Sequence, residues 1–257
     1  MIDSPENIQS FLDQKVISFN RDSFIETDPI RIPKLFTTKE NIEIAGFLAA
    51  TLAWGQRPTI IRNGLKLVEL MRNDPIEFLL STPEDEWNVF LNFKHRTFNG
   101  TDCIYFLKAL RNIYLNHGGL EQVFNQGFQK DQTVYSALIY FRKIFFELEH
   151  ERRTEKHVSD VQKGAAGKRL NMYLRWMIRN DHSGVDFGIW KQIPASALML
   201  PLDVHTGNVS RKLGLLNRTQ NDWRTVEEIT ARLREFDPKD PIKYDFALFG
   251  LGAFEKF

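Results

Sequence analysis

The residue of this sequence best placed to do chemistry is Asp203, which lies just before a short segment with helical spacing. Apolar residues at i, i+4 and i+7 predict a helix from about Thr206, with His205 or Thr206 near its N-cap and Gly214 at its end. The apolar residues of this pattern are Val209, Leu213 and Leu216. A helix N-terminus stabilises an ionised carboxylate and can also bind a phosphate. The basic residues Arg211, Lys212 and Arg218 follow without an intervening acid. An acid beside an anion-binding surface suits chemistry at a sugar–phosphate backbone.

A second basic segment lies upstream, where Gly164 and Gly167 enclose two alanines. Small residues in such a turn let the backbone approach a phosphate closely. Lys168 then begins a run whose apolar residues have helical spacing, namely Leu170, Tyr173, Leu174 and Met177. Between residues 142 and 179, ten basic residues stand against five acidic ones, and the basic ones include Arg169, Arg175 and Arg179. The alternative interpretation is a solvated helix face beside a dynamic loop.

Helical spacing extends through nearly the whole chain and predicts an all-α fold of many short helices. The predicted helices cover 3–19, 41–54, 57–73, 101–116, 119–127, 132–150, 167–180, 206–213, 223–235 and 242–250, with shorter ones after Pro75 and Pro83. Residues 22–40 contain several turn formers and predict an ordered loop, and 151–165 is the candidate mobile loop. We expect residues 1–257 to form one unit of two packed helical lobes with a cleft between them. One lobe covers about 42–150 and the other covers 163–257 together with 1–41.

Composition limits the classes of function. The net charge of the 257 residues is +1, so binding to a nucleic acid would require a local patch rather than a basic tail. Cys103 is the only cysteine, which excludes an intramolecular disulfide, a cysteine-held iron–sulfur cluster and a cysteine-based zinc site. We expect Cys103 to be a small core residue on a helix. The sequence has no signal-peptide pattern and no membrane span, so we expect a cytoplasmic location. We also expect a monomer without a cofactor.

The segment from Leu202 to Leu216 resembles the signature of the helix–hairpin–helix (HhH-GPD) DNA glycosylases, in which an acid and a histidine precede a helix carrying Arg and Leu-Gly. The resemblance implies that Asp203 is the catalytic carboxylate. It also implies that Lys168, which begins the second helix of the hairpin, is the amine of the bifunctional members. The turn between Gly164 and Gly167 departs from the family's Pro-Gly-x-Gly. The interval from Lys168 to Asp203 is longer than in the endonuclease III type and is similar to that of the archaeal 8-oxoguanine glycosylase branch.

Two further stretches are similar to parts of these glycosylases. Residues 44–61 resemble the helix that ends in Leu-Ser-Ala-Gln, which implies that Trp54 and Gln56 contact the everted base or the gap it leaves. Residues 244–252 resemble the final helix, which packs on the active site. Trp190 and His205 complete the candidate base-binding residues. The candidate contacts to the DNA backbone are Gly164, Gly167, Arg169, Arg211 and Lys212. The entire chain also resembles a family of bacterial proteins with no assigned function, through runs at 28–33, 168–176, 184–188 and 201–208.

Three functions follow from these patterns. In the first, the protein is a DNA glycosylase that excises a damaged base, such as an oxidised purine, and acts as a lyase if Lys168 forms a Schiff base. Asp203 would stabilise the positive charge that develops on the deoxyribose, or activate a nucleophile. In the second, the same fold binds DNA or RNA structure without cleaving it. In the third, a metal-dependent hydrolase would use His157, His182, His205 and Asp203, although the sequence has no His-x-x-x-His pair.

Overall fold

The computed structural model describes residues 5–181 and 183–257, and this part of the chain is mostly helical. The α-helices are α1 (Pro5–Phe19), α2 (Asp22–Ile25), α3 (Lys39–Leu52), α4 (Arg57–Leu70), α5 (Pro75–Ser81), α6 (Gly100–Asn116), α7 (Leu120–Phe128), α8 (Val134–Phe145), α9 (Lys168–Ile178), α10 (Val204–Lys212), α11 (Trp223–Phe236) and α12 (Tyr244–Ala253). Shorter 3-10 helices lie at Pro29–Arg31, Pro33–Leu35, Glu84–Asn92, Arg152–His157, Val161–Lys163, Ala195–Ala197 and Pro241–Lys243. The prediction of an all-α protein is confirmed.

The chain divides into two compact units. The discontinuous unit combines the N-terminal segment up to Ile25 with Asp160–Phe257, and the continuous unit is Glu26–Ser159. The boundary differs from the one expected from the sequence, because residues 26–41 belong to the continuous unit. The reason is local: the 3-10 helices of this segment pack against α3 and α4.

Phenylalanine rings form the core of the continuous unit. Phe124 and Phe141 stack with their ring centroids 4.4 Å apart, and Phe47 meets Phe141 edge to face at 5.4 Å. These side chains are brought together by α3, α7 and α8 because each helix presents its apolar face inward. Cys103 on α6 is also buried, and burial raises the pKa of its thiol. The expectation that it is a core residue is confirmed.

In the discontinuous unit, α12 packs against both α1 and α10. Two glycines of α12 permit the close approach. A Cβ on Gly250 would lie 2.3 Å from Cδ2 of Phe19, and one on Gly252 would lie 2.9 Å from Cβ of His205. Because α10 begins directly after Asp203, this packing places the N-terminus of α10 against the last helix of the chain.

Several predicted boundaries need correction. α10 begins at Val204, two residues earlier than about Thr206, because Asp203 itself is the N-cap. α8 ends at Phe145 rather than near 150. The candidate mobile loop, 151–165, contains two 3-10 helices. A short antiparallel hairpin pairs the strands β1 (Lys94–His95) and β2 (Phe98–Asn99), which the sequence pattern did not reveal. In the described ranges, no helix is both long and apolar enough to cross a membrane.

Candidate active site

Residues 160–167 form a tight turn ahead of α9, and an acid and two glycines supply its geometry. The carboxylate of Asp160 accepts hydrogen bonds from the backbone N–H groups of Gln162 (3.2 Å) and Lys163 (3.4 Å), and so caps the 3-10 helix that follows it. Gly164 (φ 86°) and Gly167 (φ 63°) both have left-handed backbones, which glycine adopts at the lowest cost. The first arm of this turn is a 3-10 helix of 3 residues, whereas the resemblance implied two full helices.

The turn is attached to the N-terminus of α11. Ala165 forms an isolated antiparallel bridge with Asp222, and the N–H of Trp223 donates to the carbonyl oxygen of Gly164 at 3.0 Å. The N–H of Gly164 donates to the carbonyl oxygen of Val161, also at 3.0 Å. Both backbone groups of Gly164 therefore serve the fold, and the expectation that they contact a DNA phosphate is corrected.

Lys168 is the first residue of α9, and its side chain stays accessible while the helix behind it is buried. The apolar residues predicted for this helix are at most 5 % exposed: Leu170, Tyr173, Leu174 and Met177. Because these side chains fix α9 in the core, the residue at its N-terminus has a defined position. The side chain of Lys168 retains 30 % of its exposure, and the carbonyl of the preceding Gly167 accepts the N–H of Asn171 at 2.9 Å.

Asp203 caps α10 with one of its carboxylate oxygens. Oδ1 accepts the backbone N–H of Thr206 at 2.9 Å, which is the interaction that favours Asp at a helix N-cap. The chain that leads into Asp203 is fixed by α11, because the N–H of Leu200 donates to Oγ1 of Thr230 at 3.1 Å. Hydrogen bonds therefore fix both the chain before Asp203, at Leu200, and one carboxylate oxygen of Asp203, at the N–H of Thr206.

The second carboxylate oxygen of Asp203 faces Lys168. Nζ of Lys168 lies 3.8 Å from Oδ2 of Asp203, and the two side chains are 30 % and 21 % exposed. The distance is that of an ion pair that remains accessible to solvent. The structure thus brings together the two residues that the sequence analysis selected as catalytic.

Asn221 joins Asp203 to the loop before α11. Its Nδ2 donates to the carbonyl oxygen of Asp203 at 3.3 Å, and its Oδ1 accepts from Arg211 at 2.6 Å. Arg211 also donates through Nε to the carbonyl oxygen of Arg218 at 2.7 Å. Arg211 therefore holds this loop, and its expected contact to the DNA backbone stays a prediction. Neither charge nor spacing marked Asn221 in the sequence.

The buried carboxylate of Asp245, on α12, is coupled to the pair. Burial raises the pKa of Asp245 to about 6 although Arg175 opposes the increase; the charge of Asp203 adds to it and that of Lys168 reduces it. Nη1 of Arg175 donates to Oδ2 of Asp245 at 2.5 Å. The protonation of Asp245 is thus linked to the charges of Lys168 and Asp203. The sequence held one signal for this residue, since it is the acid in an otherwise apolar helix.

Arg175 and Arg179 are buried and bonded to carboxylates, so neither adds charge to a DNA-binding surface. Asp186 bridges them, accepting from Nε of Arg175 at 3.2 Å and from Nη1 of Arg179 at 3.0 Å. Nε of Arg179 also donates to Asp240 at 3.0 Å. Burial raises the pKa of Asp186 although both guanidinium groups oppose it.

Two more basic residues of the 142–179 range are paired in the continuous unit, Arg142 with Glu155 and Arg153 with Asp102. The basic excess of that range is therefore not a single exposed patch.

Three predicted contact residues of the discontinuous unit keep accessible side chains: Arg169, His205 and Lys212. Desolvation lowers the pKa of the half-buried Arg169 to about 10. The ring of His205 meets that of Phe249 edge to face, with centroids 6.3 Å apart. Lys212 is exposed near the C-terminal end of α10. Their contacts to base or phosphate stay predictions.

Trp190 is a core residue. It is 1 % exposed, it meets Tyr173 edge to face with ring centroids 5.5 Å apart, and its backbone N–H donates to the carbonyl oxygen of Met177 at 2.9 Å. A side chain buried in this way cannot stack on an everted base, so that expectation is corrected. The sequence revealed the size of the ring but not its burial.

Trp54 and Gln56 belong to the continuous unit. The guanidinium of Arg96 lies over the indole of Trp54, 4.6 Å from the ring centroid, and His95 meets the same indole edge to face at 5.9 Å. Gln56 is exposed at the N-cap of α4, and its side chain makes no capping hydrogen bond. One face of Trp54 is therefore covered by Arg96, and Gln56 is open to solvent.

The residues proposed for a metal-dependent hydrolase do not form a ligand set. Among residues 5–181 and 183–257, no group of three or more His, Cys, Asp or Glu side chains is arranged to hold a metal ion. His157 is buried in the continuous unit, where its Nε2 lies 3.2 Å from Oδ2 of Asp102. Asp203 and His205 belong to the discontinuous unit. His182 lies outside the described residues.

The fold and the site therefore define a helical protein in which an accessible acid–amine pair lies next to a glycine turn. Its family follows from comparison with known families: residues 28–254 match the family described as "Protein of unknown function (DUF2400)", and the protein belongs to it. No curated protein and no solved structure matches the chain significantly. The family description names no activity.

Proposed function

We propose that this protein is a DNA glycosylase that releases a damaged base, with Asp203 and Lys168 as its catalytic residues. The observation that carries the proposal is the distance of 3.8 Å between Nζ of Lys168 and Oδ2 of Asp203. Each residue is at a helix N-terminus, where negative charge is favoured. The resemblance to helix–hairpin–helix glycosylases supplies the reaction class, and an oxidised purine is the first lesion to test.

Asp203 stabilises the sugar as the base departs. Breaking the N-glycosidic bond develops positive charge at C1′ of the deoxyribose, and a carboxylate fixed nearby lowers the energy of that state. Because Oδ1 accepts the N–H of Thr206 at 2.9 Å, the carboxylate is oriented before substrate binds. Oδ2 faces Nζ of Lys168, so the carboxylate and the amine would act on the same sugar.

Lys168 is the nucleophile of the bifunctional reaction. A neutral amine attacks C1′, and the base leaves with the electrons of the glycosidic bond. The C1′–O4′ bond then breaks as one proton of the new secondary ammonium passes to O4′, which leaves a protonated Schiff base. The amine first loses a proton to Oδ2 of Asp203, through a water molecule because 3.8 Å exceeds the length of a hydrogen bond. That proton then passes to the departing base, which restores the carboxylate.

DNA binding requires the nucleotide to leave the duplex, which costs a few kcal/mol. Stacking of the base on an aromatic ring would offset roughly 1–3 kcal/mol. Trp54 and Gln56, which the resemblance implies for contacts to the base, belong to the continuous unit, and these contacts stay predictions. The phosphates are bound by Arg169, by Lys212 and by the first-turn N–H groups of α9 after Gly167, which have no acceptor within the helix. Such contacts position the duplex without specifying its sequence.

The test is a panel of duplexes, each with a single lesion, assayed for base release and for adducts trapped by borohydride. We expect release from at least one lesion, and an adduct that Lys168→Ala eliminates. Asp203→Asn should slow base release by roughly 100-fold or more. The matched control is Lys163→Ala, since Lys163 lies in the same turn and its side chain is 79 % exposed. Wild-type protein that releases no base and forms no adduct with any lesion would overturn the proposal.

A second function is favoured by the cap that Asp203 provides. A carboxylate whose Oδ1 caps α10 at 2.9 Å has a structural reason to exist, and a binding protein without catalysis would keep it. This second function predicts that the wild type binds lesion-bearing duplex but releases no base, and that Asp203→Asn binds equally well.

A further inference from the structure

The continuous unit contains an open cleft of about 670 Å³ between residues 26–31 and one face of α4. Close packing fixes its walls. A Cβ on Gly64 of α4 would lie 2.2 Å from Cδ1 of Ile32, so glycine permits this approach. The carboxylate of Asp28 caps the Pro29–Arg31 helix by accepting the N–H of Ile30 at 3.0 Å. The cleft is therefore formed by local structure within one unit.

The apolar part of the cleft is a strip along α4. Pro58, Ile61 and Leu65 follow one another at helical spacing and line the same side. Ile61 and Leu65 are only partly buried by the protein. A partly covered apolar strip inside a concave site can bind the body of a small organic molecule, and the volume is in the range of such sites.

The charged side chains of the cleft leave an excess of positive charge. Its basic residues are Arg31, Arg57, Arg62 and Lys66, and its acidic residues are Glu26 and Glu69, which leaves a formal excess of two positive charges. The guanidinium of Arg31 is oriented by its hydrogen bond to the carbonyl oxygen of Glu26 at 3.0 Å. A concave surface with this excess attracts an anion.

We propose that this cleft binds a small organic phosphate monoester, with the apolar body on the α4 strip and the phosphate among the basic side chains. A phosphate monoester carries about −1.5 to −2 charges at neutral pH, which matches the excess of two cations. A carboxylate or an internal phosphodiester carries a single charge and would leave part of the excess unbalanced. Guanidinium groups also offer paired N–H donors with the spacing of phosphate oxygens.

This site is independent of the proposed glycosylase activity. The cleft consists of residues of the continuous unit, whereas Lys168 and Asp203 belong to the discontinuous unit. A result at one site does not decide the other.

The experiment is isothermal titration calorimetry of the full-length protein at low salt. The probes are thymidine 5′-monophosphate and phenyl phosphate, each compared with its uncharged parent, thymidine or phenol, and with inorganic phosphate. We expect a monoester to bind at least about tenfold more tightly than its parent, because the phosphate adds charge-assisted hydrogen bonds that the parent cannot form. We also expect it to bind more tightly than inorganic phosphate, which cannot use the apolar strip.

The double substitution Arg62→Gln with Lys66→Gln removes two exposed cations of the cleft and should weaken monoester binding at least about tenfold. The matched control is Lys143→Gln, an exposed lysine on α8 outside the cleft, which should leave the affinity unchanged. Three results would overturn the proposal: no binding of either monoester at millimolar concentration, equal affinity for inorganic phosphate, or equal affinity in the double variant. The folded state of each variant is checked by its thermal unfolding curve.

Discussion

Nζ of Lys168 lies 3.8 Å from Oδ2 of Asp203, and one loop holds both residues in place. The turn before Lys168 is bonded to Asp222 and to the N–H of Trp223. The carbonyl of Asp203 accepts Nδ2 of Asn221 at 3.3 Å. The loop before α11 is therefore the common anchor for the two halves of the site, and a change in this loop should alter the distance between them.

Asn221→Ala tests this anchor. The substitution removes the hydrogen bonds to Asp203 and to Arg211, and we expect the free energy of unfolding to fall by only about 1 kcal/mol because Asn221 is exposed. Base release should fall by about tenfold or more, because a small misplacement of reacting groups has a large effect on rate. Urea unfolding and single-turnover base release measure the two effects. The control is Asn217→Ala, an exposed asparagine of the same loop. Equal rates in the two variants would show that Asn221 does not position Asp203.

Asp203→Asn and Asp203→Ala separate the cap from the chemistry. Asn caps a helix about as well as Asp, so Asp203→Asn should leave the free energy of unfolding nearly unchanged, whereas Asp203→Ala should lower it by about 1 kcal/mol. Both substitutions remove the carboxylate that faces Lys168, so base release should fall by roughly 100-fold or more in both. The measurements are urea unfolding and base release on the same preparations. Full activity in Asp203→Asn would mean that the residue only caps α10.

Most of the helices could be predicted because apolar spacing is a local property of the chain. The run from Leu170 to Met177 is an example, and all of its predicted apolar residues are buried. The predicted start of α10 is two residues late because apolar spacing begins only at Val209, whereas the N-cap that sets the start is Asp203. The β1–β2 hairpin escaped prediction because strands of two residues are too short to show alternation.

The site could be predicted only in part. The types and order of Lys168 and Asp203 were enough to select them, since the resemblance depends on short local motifs. Partners distant in the chain could not be found this way. The sequence analysis counts Arg175 in the local excess of basic residues, but Arg175 is bonded to Asp245, and the sequence does not show which acid meets which base. The burial of Trp190 escapes prediction for the same reason, since the sequence does not show that its ring meets that of Tyr173.

Gly164 and its left-handed backbone lead to a prediction about stability. Its φ is +86°, and a Cβ there would meet no atom within 4 Å, so substitution changes backbone energy without a clash. Gly164→Ala should lower the free energy of unfolding by about 1–2 kcal/mol. Gly164→Asn should lower it less, because Asn tolerates this conformation better than Ala. Urea unfolding of the two variants decides the order, and an equal or larger loss for Asn would contradict the conformational argument.

Asp245 should make stability depend on pH. Its folded-state pKa is raised from 3.8 to about 6, so the native state binds this proton more tightly than the unfolded state does. The stabilising contribution is fully present below about pH 3.8 and is lost as pH rises through about 6. Asp245→Asn removes this titration while keeping an acceptor for Arg175. We therefore expect the wild-type free energy of unfolding, relative to Asp245→Asn, to fall by up to roughly 3 kcal/mol between pH 4 and pH 7. Urea unfolding across this range tests it, and a difference that is constant or increases with pH would contradict the raised pKa.

Arg211 and Lys212 are neighbours in sequence and should respond differently to substitution. Lys212 is exposed, so Lys212→Ala should change the free energy of unfolding by less than about 0.5 kcal/mol. If Lys212 contacts a phosphate, the same substitution should weaken binding to all duplex sequences and reduce the slope of log affinity against log salt by about 1. Arg211 donates to Arg218, Gln220 and Asn221, so Arg211→Ala should destabilise the protein by about 1–3 kcal/mol.

Duplex binding at four salt concentrations and urea unfolding of both variants give the comparison. Because the guanidinium of Arg211 is bound to the loop before α11, its loss should act on DNA through the geometry of that loop and leave the salt slope close to that of the wild type. A reduced salt slope in Arg211→Ala with unchanged stability would instead return Arg211 to the DNA-contacting surface. An unchanged slope in Lys212→Ala would remove Lys212 from that surface, because each phosphate contact releases counterions that the slope records.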